Sequence, residues 1–340
     1  MREPLFKIRE NGKYGFINQE GEVVIEPQYF EAEDFYNGFS RVRFNDKLVP
    51  LDELGRLLMK HLFNFVGHFE EGLARAQLVS LWGYIDQRGS QVIEVQFEDA
   101  RDFSEGLAAV KDNGRYGYIN KDGETVIAAQ YDAASEFKNG LAPVSFNKQF
   151  GYINAQGVMH IKPQFSVAAS FQGNVAIVQQ QQKWGVIDNN GQVLLAPQFQ
   201  IIKHYSTGEF FDGMALAAKG GKYGFISQQG EIVVEPVYDH AGDFGEGLAL
   251  VALDNNYGYI DKKGNLAIRH KYEDAGVFAD GLAQVKVDGK WGFINREGEL
   301  TIPARFDEVF PFRLGLAWVR IGPNWAYINT DGKLVWREQA

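Results

Sequence analysis

The sequence predicts an all-β fold built from a repeated unit of 34 residues. An aromatic residue followed by Gly recurs at fixed spacing, since Trp82, Tyr116 and Phe150 lie 34 residues apart. Each pair is followed by a turn that begins with Asn, Asp or Ser and ends with Gly. Gly is frequent, at 38 residues, and aromatic residues make up 14% of the chain, as suits short strands joined by tight turns. Such a period is typical of a solenoid, a propeller or another repeat array.

The repeat fills the whole chain. The aromatic–Gly pair begins at Tyr14, Trp82, Tyr116, Phe150, Trp184, Tyr223, Tyr257 and Trp291. Leu48-Val49 and Trp325-Ala326 occupy the two remaining positions in altered form. Every step is 34 residues except that from Trp184 to Tyr223, which is 39. We therefore predict ten units and one five-residue insertion.

The fourth unit shows how a unit folds. Two apolar runs, residues 107–110 and 116–119, flank Asp112-Asn113-Gly114, and Asn-Gly between such runs predicts a β-hairpin. The following turn, 120–123, begins with Asn, whose side chain caps it, and ends with Gly, which tolerates a left-handed conformation. A third short strand follows, as at residues 23–25 of the first unit. Each unit is therefore predicted to be a three-stranded antiparallel meander.

The packing of the units follows from strand periodicity. Trp82 and Tyr84 share one face of their strand and Ile85 lies on the other. The Gly beside each aromatic leaves room for a neighbouring backbone or ring. Third strands such as 23–25 are apolar at consecutive positions, so both faces of each sheet are expected to be covered by neighbouring sheets.

The predicted architecture is a single domain, 1–340, of ten units stacked as an open curved or superhelical array. A closed β-propeller-like ring is the alternative. Propellers typically have four to eight blades of four strands, which ten three-stranded units fit poorly. The second unit, about 38–70, is degenerate, the insertion lies near 200–212, and residues 326–340 are interpreted as a C-terminal capping unit.

The repeat resembles the WG-repeat family, also called KWG repeats, of bacterial proteins. The residues that carry the resemblance are Lys183-Trp184-Gly185-Val186-Ile187-Asp188, Gly289-Lys290-Trp291-Gly292-Phe293-Ile294-Asn295 and the Gly-Leu-Ala runs at 72–74 and 281–283. The resemblance covers essentially the whole chain. It implies an all-β repeat protein that serves as a non-catalytic interaction module, and it implies no active site.

Composition excludes several classes of function. The net charge of −10 and the lack of any basic run argue against nucleic-acid binding. The chain has no Cys, which excludes disulfides and thiolate metal sites. No apolar stretch approaches 18 residues, so we expect no membrane span. No signal peptide is visible, so we expect a cytoplasmic location by default, or a secreted or periplasmic one if a signal has been removed. The six His residues lack metal-ligand spacing, and no catalytic signature is present, so we predict no metal, cofactor or catalytic residue.

Functional residues are expected where the repeat is broken without a structural need. In the second unit, Leu48, Val49 and Pro50 replace the motif, and an aromatic and basic crossover follows. One interpretation is a binding patch that includes His61, Phe65 and His68. The alternative is a degenerate unit stabilised by its neighbours, with Phe63, Phe65 and Phe69 in the core.

The second break is the insertion. Insertions in repeat arrays map to loops, often on the binding face. Lys203, His204, Tyr205 and Glu209 would form a polar contact set there, with Phe210 as an anchor. The alternative is a longer surface loop without a ligand.

Two functions are compatible with this pattern. The first is a monomeric, non-enzymatic scaffold that binds an unidentified protein partner through its repeat-built surface. The second is carbohydrate binding, or glycan hydrolysis, with exposed aromatic rings as stacking platforms. Most aromatic residues lie at repeat positions and are expected in the core, so we prefer the first.

Overall fold

The computed structural model describes residues 3–58, 63–202 and 210–338. In these ranges the chain forms 37 β-strands and no helix, and the strands make nine sheets. Contacts group the chain into two compact units, the first of Met1–Asn18, Val23–Gln180 and Asp188–Gln192 and the second of Gln19–Glu22, Gln181–Ile187 and Val193–Ala340. The 34-residue period runs unbroken through both, apart from the insertion.

The strands of the first four sheets follow one another along the chain. The first sheet holds β1 (Phe6–Glu10), β2 (Lys13–Ile17) and β3 (Val23–Tyr29). The second holds β4 (Phe39–Phe44), β5 (Lys47–Asp52), β6 (Phe65–Val66), β7 (Leu73–Leu78), β8 (Leu81–Asp86) and β9 (Gln91–Phe97). The third holds β10 (Asp99–Ala100), β11 (Ala108–Asp112), β12 (Arg115–Ile119) and β13 (Thr125–Tyr131). The fourth holds β14 (Ala133–Ala134), β15 (Leu141–Phe146), β16 (Gln149–Asn154) and β17 (Met159–Phe165).

The remaining five sheets have the same four-stranded order. The fifth holds β18 (Val167–Ala168), β19 (Val175–Gln180), β20 (Lys183–Asp188) and β21 (Val193–Phe199). The sixth holds β22 (Ile201–Ile202), β23 (Met214–Lys219), β24 (Lys222–Ser227) and β25 (Ile232–Tyr238). The seventh holds β26 (His240–Gly245), β27 (Leu248–Leu253), β28 (Asn256–Asp261) and β29 (Leu266–Tyr272). The eighth holds β30 (Asp274–Ala275), β31 (Ala283–Val287), β32 (Lys290–Ile294) and β33 (Leu300–Phe306). The ninth holds β34 (Glu308–Val309), β35 (Leu316–Ile321), β36 (Asn324–Asn329) and β37 (Leu334–Arg337).

The meander is confirmed, with one addition. In the four-stranded sheets the crossover segment contributes the first strand, which has two residues except in β26, as Asp99 and Ala100 pair with Lys111 and Val110. At the predicted hairpin, Asn113 and Gly114 have φ of 49° and 79°, as a tight I′ turn requires. Asn120 Oδ1 accepts the N–H groups of Asp122 at 3.1 Å and Glu124 at 2.9 Å, which caps the next turn as predicted.

The hydrophobic cores lie between consecutive sheets. Tyr118 and Ile127 of the third sheet share one cluster with Phe137 and Val144 of the fourth. Tyr84 and Trp82 belong to one cluster and Ile85 to another, which confirms the predicted faces of that strand. Face-to-face stacking of small sheets therefore supplies the buried surface that no three-stranded sheet has alone.

The expected burial of the third strands is wrong at their first positions. Val23 and Val24 are 42% and 46% exposed, whereas Ile25 is 4% exposed. The third strand is the outer edge of its sheet, and two register shifts displace it where it passes Gly15 of β2. Ile25, opposite Phe16, and Tyr29, opposite Tyr14, are therefore the residues of β3 that reach the core.

These register shifts explain the Gly of the motif. A Cβ on Gly83 would lie 2.5 Å from Ile93 O and 2.8 Å from Glu94 O, because the third strand folds over the second at this point. In the ninth sheet, Ala326 pairs with Arg337 and only one register shift follows. Ala is tolerated there because the third strand does not fold over it.

The prediction of ten separate units is wrong, because the strands form nine sheets. Leu48 of β5 pairs in parallel with Phe65 of β6, so the second and third units share one six-stranded sheet. The third strand of the second unit is reduced, within the described residues, to one bridge between Leu51 and Leu57. The edge of β5 is therefore free to pair with β6.

The expectation of an open array is also wrong. In the regular sheets the Gly of each turn lies against an aliphatic side chain of the preceding third strand, as Gly157 lies against Ile127. Gly21, in the first turn, lies in the same way against Val335 of β37. Gln19 Nε2 donates to Leu314 O at 3.0 Å beside it. The two ends of the repeat series thus meet, and the fold is a nine-bladed β-propeller, the closed-ring alternative.

Candidate functional site

Several predicted binding residues lie outside the described part of the chain. These are His61 of the second break and Lys203, His204, Tyr205 and Glu209 of the insertion. Phe210 is described and lies in the interior, 8% exposed. It occupies the position held in other sheets by the buried Phe137 and Phe278, so it has no free surface to offer a partner.

Phe65 and His68 lie in a cluster of charged and aromatic side chains around the second sheet. Phe65 is half-buried, and the guanidinium carbons of Arg41 and Arg75 lie 5.2 and 6.0 Å from its ring centroid. The Trp82 ring meets Phe65 edge-on at 5.7 Å, and Arg75 lies 5.4 Å from the Trp82 ring. Arginine over an aromatic face is favoured by the ring quadrupole, so the four side chains hold one another in place.

Carboxylates and backbone carbonyls fix the two guanidinium groups. Arg41 donates to both carboxylate oxygens of Glu33, at 2.6 and 2.7 Å, in a bidentate pair. Arg41 also donates to Val66 O at 3.4 Å, and Arg75 donates to Ala100 O at 3.1 Å. Each arginine therefore ties its own strands to the next two-residue strand along the chain.

The Arg75–Asp102 pair is partly buried, with side chains 26% and 31% exposed, and it is imperfectly aligned. Arg75 Nε and Asp102 Oδ1 lie 3.0 Å apart, yet neither atom has a well-directed hydrogen bond although both are buried. Burial raises the pKa of Asp102 and outweighs the opposite effect of Arg75. Gly67 makes the space for this pair, because a Cβ there would lie 2.9 Å from Arg75 Cγ.

The more exposed side of the cluster is formed by His68 and Tyr36. Their rings meet edge-on at 5.3 Å, Tyr36 is 48% exposed, and His68 Nε2 lies 3.7 Å from Glu33 Oε2. Burial, assisted by the charge of Arg41, lowers the pKa of His68, so the imidazole is neutral at pH 7. A hydrogen bond to Glu70 raises the pKa of Tyr36.

We call Tyr36, Arg41, Phe65, His68, Arg75 and Trp82 the arginine–aromatic cluster. Sequence reasoning found Phe65 and His68 but missed the other four. A signal was present, because Arg41 and Arg75 occupy the third residue after the Gly that begins each unit. Six other units hold apolar residues at the equivalent position of the 34-residue register, namely Ala109, Pro143, Ile177, Leu216, Leu250 and Trp318.

The recurrent acidic residues have structural partners. The carboxylates that follow the crossover aromatic accept backbone N–H groups of the hairpin turn, as Asp239 accepts from Asp254 at 3.0 Å and Asp307 from Gly322 at 2.6 Å. Lys222 and Lys290 lower the pKa values of these two acids. Among the described residues, no group of three or more His, Asp or Glu side chains is arranged to hold a metal ion.

The described residues contain no helix that is long and apolar enough to cross a membrane.

Comparison with known proteins identifies the repeat. The model of the family described as "WG containing repeat" matches nine segments, 14–47, 51–78, 82–116, 116–149, 150–184, 184–223, 223–257, 257–291 and 291–325. The chain therefore belongs to this family. No curated protein matches the sequence.

One similar solved structure shares the fold across the whole chain. A crystal structure titled as the eukaryotic initiation factor is 9% identical, with a TM-score of 0.53, covering 100% of this chain and 96% of its own. BamB from Moraxella catarrhalis is 10% identical, with a TM-score of 0.38, covering 90% of this chain and 95% of its own. At 9% identity, the first likeness shows the fold alone.

Proposed function

We propose that this member of the WG-repeat family is a non-enzymatic scaffold that binds a protein partner through the arginine–aromatic cluster. The observation that carries the proposal is the pair Arg41 and Arg75, placed where most units have apolar side chains and held over Phe65 and Trp82. Tyr, Trp and Arg are the residues in which binding energy concentrates at protein interfaces. The cluster presents all three in a fixed arrangement.

Pre-ordering supports this assignment. Long side chains lose rotamer freedom when a partner immobilises them, which weakens binding. The bidentate pair with Glu33 already fixes Arg41, whose side chain is only 15% exposed. Tyr36 and His68 lie on the more exposed side of the cluster, next to the fixed Arg41. A partner would therefore contact them without ordering the layer beneath.

The absence of catalysis is part of the proposal. The recurrent carboxylates accept turn N–H groups, and the deeply buried Tyr84 and Tyr118 donate their hydroxyls to Arg101 O and Ser135 O. These carboxylates and hydroxyls therefore stabilise turns and crossover segments of the repeat units. An enzyme would need an acid, base or nucleophile that the repeat does not explain.

The test compares two exposed aromatic residues. We expect Tyr36→Ala to weaken capture of a partner from the source organism's lysate by about tenfold. The control is Phe146→Ala in the fourth sheet, since Phe146 is 46% exposed against 48% for Tyr36. Equal capture by both variants would reject the cluster as the contact surface, provided their thermal midpoints match that of the parent chain.

The inserted loop is a second proposed contact. Its motivation is the five-residue excess between Trp184 and Tyr223. Deletion of 203–207 removes the five-residue excess and spares the paired residues, Ile201 with Ala218 and Ile202 with Ala217. We expect this variant to keep the thermal midpoint and lose partner affinity, and unchanged affinity would remove the loop from the interface.

The glycan alternative has less support. Phe30, Tyr36, Phe146 and Phe310 are exposed, but the motif aromatics such as Trp82 and Trp291 pack against cores. Glycan binding would require several exposed rings on one surface, and only Tyr36 lies in the cluster. Binding to a glycan array that is lost in Tyr36→Ala would replace the protein-binding proposal.

A further inference from the structure

One crossover position of the repeat has a different residue type in the first unit. The position directly follows the third strand of each unit. In seven units its side chain accepts an N–H group from the hairpin turn that comes next in the chain. These seven residues are Asn64, Glu98, Asp132, Gln200, Asp239, Glu273 and Asp307. In the first unit the equivalent residue is Phe30, whose side chain has no hydrogen-bonding atom.

Phe30 lies on the surface. It is 74% exposed, more than any other aromatic residue of the described chain. Its ring is contacted by Lys13, whose ammonium nitrogen lies 5.6 Å from the ring centroid. An exposed ring at a position where other units need a polar side chain does not serve the fold. Such a break in the repeat is where a functional residue is expected.

Lys13 occupies the position whose cation pairs with this crossover acid in other units. The pairs are Arg115 with Asp132, Lys222 with Asp239 and Lys290 with Asp307. Each basic residue precedes its acid by 17 positions, as Lys13 precedes Phe30. Among the residues that the structure describes, Lys13 has no carboxylate at ion-pair distance. The ammonium group is therefore available to an acid from outside the chain.

A neighbouring acid in the hairpin does not prevent such pairing. Glu10 lies opposite Lys13 in the strand register of the first sheet. The third sheet has the same arrangement, with Asp112 opposite Arg115. Arg115 nevertheless pairs with the crossover acid Asp132. The position next to Lys13 can therefore accommodate a carboxylate with Glu10 in place.

The hairpin turn that follows Phe30 offers the other half of the site. Asn45 and Asp46 form this turn, with φ of 47° and 61°. Within the described ranges, their N–H groups have no acceptor. The equivalent N–H groups in other units are those of Asp254, which donates to Asp239 at 3.0 Å, and Gly289, which donates to Glu273 at 3.2 Å. An ammonium and two N–H groups thus surround the position where other units place a carboxylate.

We propose that this position of the first unit binds an acidic residue of a partner peptide. The partner's carboxylate pairs with Lys13 and accepts N–H groups of the turn at Asn45 and Asp46. An apolar neighbour of the acid packs on the exposed ring of Phe30. The repeat itself indicates this ligand chemistry, because three other units place an aspartate against the equivalent basic residue. The site shares no residue with the arginine–aromatic cluster, so it stands independently of the proposed function.

The charge around Phe30 favours a peptide over an anionic membrane. Segments that bind anionic lipids carry clusters of about four to eight Lys and Arg residues. Beside Lys13, the first sheet exposes Arg9, whose guanidinium carbon lies 5.5 Å from the Tyr14 ring centroid. The net charge of −10 also opposes approach to a negative surface. A single carboxylate matches the single ammonium of Lys13.

Fluorescence polarisation with the full chain and two labelled peptides tests the proposal. The peptides are Gly-Ser-Leu-Asp-Leu-Ser-Gly and Gly-Ser-Leu-Asn-Leu-Ser-Gly, each with an N-terminal fluorophore and a C-terminal amide. We expect the Asp peptide to bind about fivefold more tightly, because the Asn peptide cannot pair with an ammonium group. Equal affinity for the two peptides, or binding by neither, would overturn the proposal.

A lysine variant locates the binding. Lys13→Gln should remove the preference for the Asp peptide. The matched control is Lys290→Gln, because Asp307 already occupies the equivalent position in the eighth sheet. This control should leave both affinities unchanged. A preference that survives Lys13→Gln would overturn the assignment to this position.

Restoring the acid within the chain tests the site without a ligand. In Phe30→Asp the new carboxylate should pair with Lys13, accept the turn N–H groups and abolish peptide binding. The control Phe30→Ala removes the ring but supplies no carboxylate, so it should weaken both peptides and keep the preference for Asp. Phe30→Asp should also unfold at a higher temperature than Phe30→Ala. Equal thermal midpoints would show that the first unit does not hold a carboxylate, and the proposal would be overturned.

Two other occupants would give different results. A second copy of the chain would appear as a dimer in sedimentation velocity, and Phe30→Asp would abolish that dimer. An anionic membrane would appear as co-sedimentation of the chain with phosphatidylserine vesicles, lost in Phe30→Ala. Either result without a preference for the Asp peptide would refute the peptide as the occupant.

Discussion

The third and second sheets differ at the Gly position of the aromatic–Gly motif. In the third sheet, Gly117 is covered by the folded-over third strand, and a Cβ there would lie 2.7 Å from Ala129 N. In the second sheet, Val49 occupies the equivalent position and packs with Val42 and Leu51 in a core cluster. Among the described residues, the third strand of that unit is represented by the bridge between Leu51 and Leu57, and β6 pairs with β5.

The difference shows what the motif Gly is for. It is required by the third strand that passes over it, since Val49 and Ala326 are accommodated where the described part of the third strand does not fold over them. Loss of the Gly also accompanies a change in what the surface displays. The second sheet has the arginine–aromatic cluster, and in the ninth Arg337 lies directly opposite Ala326.

The largest expected effect tests this role of Gly. We expect Gly117→Ala to destabilise the protein by about 2–3 kcal/mol, because the new Cβ forces the third strand away. Ala326→Gly is the matched control and should cost about 0.5–1 kcal/mol through backbone entropy alone. Chemical and thermal denaturation measure both. Comparable midpoints for Gly117→Ala and the parent chain would show that the third strand moves without cost.

A smaller effect concerns the contacts that join successive sheets. The carboxylate of Glu105, in the third sheet, accepts the N–H groups of Asn139 at 2.6 Å and Gly140 at 2.8 Å in the fourth. We expect Glu105→Ala to cost about 1 kcal/mol, the usual net value of such hydrogen bonds. Glu94→Ala is the control, because Glu94 is exposed on a third strand. If both variants unfold at the same urea concentration, these bonds do not join the sheets measurably.

The smallest effect is a pH dependence in the second sheet. The pKa of His68 is lowered in the folded state, so its neutral form stabilises the fold above the unfolded pKa of 6.5. That stability is lost as pH falls from 6.5 through the folded pKa. The parent chain should therefore lose stability over this range relative to His68→Asn. Parallel stability curves for the two proteins, or an NMR titration with a His68 pKa at 6.5 or above, would contradict this.

The local structure could be predicted from the sequence because it depends on residues that are close together in the chain. The turn at Asn120 and the hairpin at Asn113 follow from side-chain and φ preferences of single residues. Likewise, the alternation of Trp82, Tyr84 and Ile85 follows from strand geometry.

Closure and the candidate site depend on distant contacts. Whether nine sheets form a closed ring depends on the small rotation between each pair of neighbouring sheets. No single residue in the sequence predicts that rotation. Phe65 meets Arg41 and Arg75 only because β6 pairs with β5 and β7, a topology that the degenerate sequence around Leu48 does not reveal. The exposure of Val23 likewise depends on a register shift that is set by the strand beside it.

The bond between Gln19 and Leu314 joins residues 295 positions apart in the chain. During synthesis on a ribosome, the first sheet emerges long before β37 exists, and Gly21 has no partner until Val335 has been made. Loop-closure entropy opposes such a distant contact, although it grows only slowly with chain length. The nascent chain therefore carries an incomplete apolar face for most of its translation, and a chaperone that shields this face would act on the N-terminal sheet first.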